Sequence, residues 1–404
     1  MISRKSILIP KICTFASCDM TRRKILLLFS ILLYAIGTQA QKDTLASRLL
    51  HEIAAEQYTA DSFYYAGMFP SHRYYGYPNG KMKHDNNVFF TGLIAMTLGE
   101  LQNEFDNPDS ILCQQIRSSA VASFPHFRHR SGRNTYNFWQ TNPSMVFPNS
   151  GFLKMFKKWH SLPDDIDDTS ILLLAMEADP ATAREVKNLM EEHANTVHYS
   201  IRNTFKKYRD IPAYSTWFGK NMPIDFDACV LSNTLYFMHA YNMVNSPADT
   251  ASLQLLDAII RNREYMTNPS YISPHYAYPP VLIYHFARLI GRYHDPILTQ
   301  HSAQLASDAR QLFESSCNEM EKVILSTALL WLGEEAPPVD IQKADLNGDL
   351  IFFVAGFNAL LPNPYKKFFS GYHLISYYYR CPTYNKVLLL QHHLLRQAIL
   401  KYKG

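Results

Sequence analysis

Two kinds of helical segment alternate along this chain, and that alternation restricts the fold more than any other feature. Six segments are apolar on every side. They begin near Asn86 (NNVFFTGLIAMTLG), Thr169 (TSILLLAM), Asp227 (DACVLSNTLYFMHAY), Pro280 (PVLIYHFARLI), Lys322 (KVILSTALLWLG) and Lys386 (KVLLLQHHLLRQAIL). Others carry one apolar stripe and a charged face: LASRLLHEIAAEQ, ATAREVKNLMEEHANTVHYSIRNTF, ASLQLLDAIIRNREYM and LTQHSAQLASDARQLFESS. A helix that is apolar all round is buried, whereas a one-sided helix covers a surface. Inner helices sheathed by outer ones make an all-α fold, an α/α toroid of about five or six helical hairpins. Strand-like alternation is nearly absent, and no composition break follows residue 41, so residues 41–404 are expected to form a single domain.

The first forty residues look like an address. Met20, a candidate true start, opens MTRRKILLLFSILLYAIGTQAQ: a basic stretch, an apolar run, and Thr38-Gln39-Ala40 as a small-x-small cleavage site. That is the pattern of a secretory signal peptide, too short and wrongly flanked for a membrane span. It predicts export, to the periplasm or beyond. The full chain has 39 Lys/Arg and 35 Asp/Glu; six of the bases and one acid precede residue 41, which leaves 33 and 34. The basicity belongs to the leader, and nothing argues for nucleic acid. Cys113, Cys229, Cys317 and Cys381 are widely spaced without a CxxC pair, which suits buried thiols or one or two disulfides and not a zinc site.

Inner helices of a toroid start at one common end, so the loops before them meet at one mouth. Those loops hold the unusual residues. PSHRYYGYPNGKMKHDNN brings His72, Arg73, Tyr74, Tyr75, His84 and Asp85. The next carries Trp139 and Trp159; YSTWFGKNMPIDFD carries Trp217, Asp225 and Asp227; NPSYISPHYAYPP carries His275, Tyr276 and Tyr278. Acids, His, Trp and Tyr at one end of an apolar barrel are the ingredients of a pocket. Asp85, His84, Trp139, Trp159, Trp217, Asp227 and Tyr276 are therefore the candidate substrate-binding residues.

The densest feature is PDDIDDTSILLLAM, with four carboxylates between Asp164 and Asp168. Capping explains one or two of them, because acids at a helix start satisfy free N–H groups and favour the dipole. Like charges this close repel, so four exceed what a cap requires. Asp164, Asp165 and Asp168 also match DDxxD, which would place Mg²⁺ or Ca²⁺ there. The second metal motif that accompanies DDxxD is absent, and no cofactor is expected. Asp165, Asp167 and Asp168 match DxDD, in which burial and mutual repulsion keep one acid protonated.

Asp165-Ile166-Asp167-Asp168-Thr169 after Pro163 resembles the helix start of the class II terpenoid cyclases, the squalene–hopene and diterpene cyclases. The resemblance implies an α/α barrel and protonation-initiated cyclisation of a polyprenyl substrate, with Asp167 as the general acid and Asp165 and Asp168 in support. The chain lacks the QxxxGxW repeat of the triterpene enzymes and has length for one barrel.

An exported α/α barrel equally suits a glycoside hydrolase or polysaccharide lyase. Such an enzyme would draw a carboxylate pair from Asp85, Asp167 or Asp168, and Asp227, or use His72, Arg73 and Tyr74 in a lyase. A toroid that binds glycan or lipid without catalysis is the third reading. The cyclase reading expects a closed apolar cavity over Asp167. The sugar reading expects an open polar groove with Trp139 or Trp217 facing the surface. ADLNGDL (344–350) reads as a turn, and the adjacent His392 and His393 point about 100° apart on a helix, a poor metal pair.

Overall fold

The computed structural model describes residues 44–76, 80–146, 162–218, 222–344, 346 and 350–403. The chain divides into two units, Met1–Ser47 and Arg48–Gly404; the ring, the sheet and the acid cluster belong to the second. The segment read as a signal peptide lies outside the described residues, as does Trp159.

Eleven longer helices are described: α1 (Thr44–Glu56), α2 (Phe89–Leu101), α3 (Asn107–Ser123), α4 (Ile166–Ala175), α5 (Pro180–Glu192), α6 (Ala228–Ala240), α7 (Pro247–Arg261), α8 (Pro279–Tyr293), α9 (Ser302–Ser315), α10 (Glu319–Trp331) and α11 (Pro382–Lys403). Helices α2, α4, α6, α8, α10 and α11 each pack on the next, and α11 returns to α2. This closed ring is the inner wall of an α/α toroid. Helices α3, α7 and α9 pack outside, on α2, α6 and α10 respectively. The all-round apolar segments are the inner helices: α2 buries every residue from Phe89 to Leu98, and α8 every residue from Pro280 to Ile290.

The polar residues between the apolar runs set the helix starts. Asp165, Asp227 and Asn318 cap α4, α6 and α10 through their side chains, each satisfying backbone N–H groups left free at a helix start. Two outer helices depart from the sequence reading. Helix α5 ends at Glu192 instead of continuing to Phe205, because Thr196 takes φ 73° and the Asn195 side chain binds Ile201 N, Arg209 O and Ile211 O at 2.7–2.8 Å. Helix α3 was not signalled: it buries only Asp109, Cys113, Ile116, Ala120 and Ser123, too small and polar a stripe to register.

A four-stranded antiparallel sheet, unforeseen in the sequence, is added to the ring. It comprises β1 (Ser71–Tyr75), β2 (Met82–Asp85), β3 (Phe353–Gly356) and β4 (Ser376–Arg380) in the order β2-β1-β4-β3. The first predicted mouth loop is thus a hairpin. Its strands escape a period-2 reading because SHRYY and SYYYR place Tyr on both faces. Register pairs Arg73 with Lys83 and Tyr379, Tyr75 with Tyr377, and Phe353 with Tyr379. Facing partners share a face, so Arg73, Tyr75, Lys83, Tyr377, Tyr379 and Phe353 lie together. The four cysteines among the described residues are free thiols.

Candidate active site

The mouth is assembled from the starts of α2, α4 and α6, the loop before α8, and the sheet. Asp165 is fixed first: its backbone bridges to Tyr136 on one side and Trp217 on the other. Its carboxylate accepts from Asp168 N at 2.7 Å. The next two acids then point inward from the first turn of α4. Asp165, Asp167 and Asp168 are 5%, 5% and 2% exposed. None faces bulk solvent.

Their environments differ. Asp164 stands apart: Arg133 grips it at 2.5 and 2.9 Å and Thr135 donates to it as well, so it anchors a loop. Asp165 and Asp168 hydrogen-bond each other through their carboxyls. Burial first, then the neighbouring negative charges, pushes Asp165 up to about 8 and Asp168 well above the carboxylate range. Asp168 is thereby held protonated, and its Oδ1 has no hydrogen-bond partner among the described residues. Asp167 is pushed up to about 6, chiefly by burial, and held from going higher by Tyr276 and Asn233. The Tyr276 hydroxyl donates to Oδ2 and the Asn233 amide donates to Oδ1 at 2.7 Å.

Asn233 cannot turn around. Its Oδ1 accepts from Arg288 Nη2 at 2.6 Å, and a guanidinium only donates. The amide nitrogen therefore faces Asp167. Arg288 lies deep in the ring, 2% exposed and over the Tyr236 ring; burial works against its charge, but Glu100 and then the surrounding tyrosines outweigh it and raise its pKa above the usual value.

The surrounding walls are aromatic. Phe353 stands at the centre, with ring centroids 4.7 Å from Phe89, 5.3 Å from Phe138, 5.7 Å from Tyr276 and 5.8 Å from His275. Trp217 meets His275 edge-on at 5.9 Å. Asp227, besides capping α6, accepts from Ser273 Oγ and His275 N, which fixes the His275 loop. Both ring nitrogens of His275, Trp217 Nε1, Asn137 Oδ1 and the Tyr379 hydroxyl are buried without a partner among the described residues.

Among the predicted site residues, Asp165, Asp167, Asp168, Asp227, Tyr276 and Trp217 come together. Asp85 and Trp139 join at the rim: Trp139 Nε1 donates to Asp85 Oδ1 at 2.7 Å and Arg73 pairs with Oδ2 at 3.0 Å. His84 does not join. It is exposed, pairs with His72 across the strands and so lies on the other sheet face from Arg73 and Lys83. Trp139 and Trp217 are 2% and 8% exposed, so neither faces the surface. Among the described residues no group of three His, Cys, Asp or Glu side chains is placed to hold an ion. Asn233, Arg288 and Phe353 were missed as site residues, and His275 was placed in a mouth loop but not among the candidate substrate-binding residues. The available signal was Asn233 and Arg288 themselves, polar and charged residues inside otherwise apolar segments.

The fold and site define a class: an α/α toroid with a buried, proton-retaining acid cluster at the mouth of its inner ring. No family model matches the chain, and no curated protein does. Among solved structures it is similar to a protein from Actinoplanes, at 12% identity over 88% of this chain and 98% of that one, with a TM-score of 0.49. It is also similar to an unsaturated glucuronyl hydrolase specific for heparin, at 10% identity over 88% and 96%, with a TM-score of 0.42. Likenesses this distant leave the activity to be argued from the site itself.

Proposed function

We propose that the protein is a carbohydrate-active enzyme that breaks a glycosidic bond by general acid–base catalysis, with Asp168 as the acid and Asp167 as its ionised partner. The observation that carries this is a set of polar atoms at the mouth that are unpartnered among the described residues: His275 Nδ1 and Nε2, Trp217 Nε1 and Asn137 Oδ1. A buried polar atom without a partner costs about 1–3 kcal/mol. A polyhydroxylated ligand can satisfy such atoms, as ordered water does, whereas a hydrocarbon offers them no partner. In hydrolysis, Asp168 gives its proton to the leaving glycosidic oxygen, and Asp167 takes one from the attacking water. Asp167 suits the second role because both its oxygens already face donors, which favours the carboxylate. Export, as the N-terminal pattern predicts, suits a glycan substrate.

The cyclase reading has the enclosure in its favour: the acids are buried, Trp139 and Trp217 do not face the surface as a sugar groove was expected to require, and Phe89, Phe138, Phe353 and Tyr276 supply aromatic rings of the kind that stabilise cations. Purified protein should be assayed on a glycan panel and on polyprenyl substrates. The expected result is glycan turnover that drops about 10²–10⁴-fold in Asp168→Asn. Turnover of a polyprenyl substrate alone, or an Asp168→Asn variant as active as wild type on the glycan, overturns the proposal.

A further inference from the structure

The sheet face that carries Phe353 does not stop at the mouth. Phe353, Tyr379 and Arg73 occupy its buried part: Phe353 and Tyr379 pack on Phe138, and Arg73 pairs with Asp85. Two residues further along β1 and β4, a rise of about 7 Å, the same face comes into solvent. There Arg73, Tyr75, Lys81, Lys83 and Tyr377 line a groove of about 220 Å³. Tyr75 is 50% exposed, and its ring lies 5.1 Å from that of Tyr377 at 39°, forming a two-ring platform. Lys81 and Lys83 are exposed, and neither has an acidic partner among the described residues. Arg73 is neutralised by Asp85, so the groove carries two uncompensated positive charges beside an aromatic platform.

We propose that this groove is a substrate subsite that takes an acidic sugar residue, its ring on Tyr75 and Tyr377 and its carboxylate, sulfate or phosphate on Lys81 and Lys83. The proposal rests on the carbohydrate reading of the mouth and adds the charge of the substrate. Three features support it. The volume is below the ~300–1,000 Å³ that encloses a drug-sized ligand and fits one ring. Lysines act as point charges for anions of any geometry. The groove and the Arg73–Asp85 pair at the rim lie on the same sheet face.

The test uses Asp168→Asn, so that binding is measured without turnover. Calorimetry compares tetragalacturonate with its neutral methyl ester, and a sulfated galactan tetrasaccharide with its desulfated form. The acidic member of at least one pair is expected to bind about tenfold more tightly, with an advantage that shrinks as salt rises. Lys81→Glu/Lys83→Glu abolishes that preference, and Tyr377→Ala weakens both members of the pair. If inorganic sulfate competes with the sulfated probe but not with tetragalacturonate, the acidic group is a sulfate. Equal binding of acidic and neutral probes, no binding of either, or an unchanged preference in the double lysine variant overturns the subsite. Preferential acidic binding by a protein whose glycan turnover does not depend on Asp168 leaves the subsite standing and refutes the catalytic assignment.

Discussion

Replacing Asp168 by Asn should make the protein less sensitive to alkali. Asp165 and Asp168 are both buried and both raised, Asp165 to about 8 and Asp168 beyond the carboxylate range. The folded state therefore keeps protons that the unfolded chain has given up above about pH 4. Stability from these groups is present at low pH and is lost as pH rises above about 4, for Asp165 up to its folded value near 8 and for Asp168 on into alkali. Each such proton costs about 1.4 kcal/mol per pH unit in that window. Asp168→Asn removes at least one of them. Its amide still donates to Asp165, as the protonated acid does, and the backbone bond from residue 168 to Asp165 remains. Between pH 6 and pH 8 the wild type should lose roughly 2–3 kcal/mol more than the variant. At about 2 °C per kcal/mol for a domain of this size, that is about 5 °C of Tm. Calorimetric scans of both proteins from pH 5 to 9 check this. Parallel Tm profiles would refute the retained-proton account of the cluster.

Asn233→Leu removes a donor to the Asp167 carboxylate, a bond worth about 1.5–3 kcal/mol, so Asp167 should titrate about one to two pH units higher. Asp-Cγ-labelled NMR reads it directly. Arg288→Met should shift Asp167 in the same direction by freeing the Asn233 amide to rotate, and an unmoved titration in both folded variants removes Arg288 from the site. Phe353→Ala, which empties the centre of the aromatic mouth, should cost about 3–5 kcal/mol by denaturant titration. Lys366 and Asp225 form a fully buried pair at 2.8 Å. Lys366→Met alone should cost about 3–5 kcal/mol, and adding Asp225→Asn should recover most of that loss.

Much of the architecture was legible in advance, for a physical reason. An inner helix must be apolar on all sides, and that requirement is written locally, so NNVFFTGLIAMTLG and PVLIYHFARLI declare themselves. Helix starts were equally local: Asp165 and Asp227 cap the helices their positions implied. Helix α3 and the sheet were not legible, because a stripe of small residues and strands of tyrosine lack a clear period. The site was half legible. Asp165, Asp167 and Asp168 stand out in the chain, but their division of labour does not.

The sequence by itself determined that inner and outer helices alternate and that four acids begin one inner helix. Those properties depend on neighbours a few residues away. Only the tertiary structure decided what each acid does: Asp164 meets Arg133, Asp165 and Asp168 are buried against each other and raised together, and Asp167 receives donors from Asn233 and Tyr276. Asn233 and Tyr276 lie 66 and 109 residues away. A carboxyl's protonation depends on which donors and charges reach it in space, and ring closure, not chain proximity, brings them there.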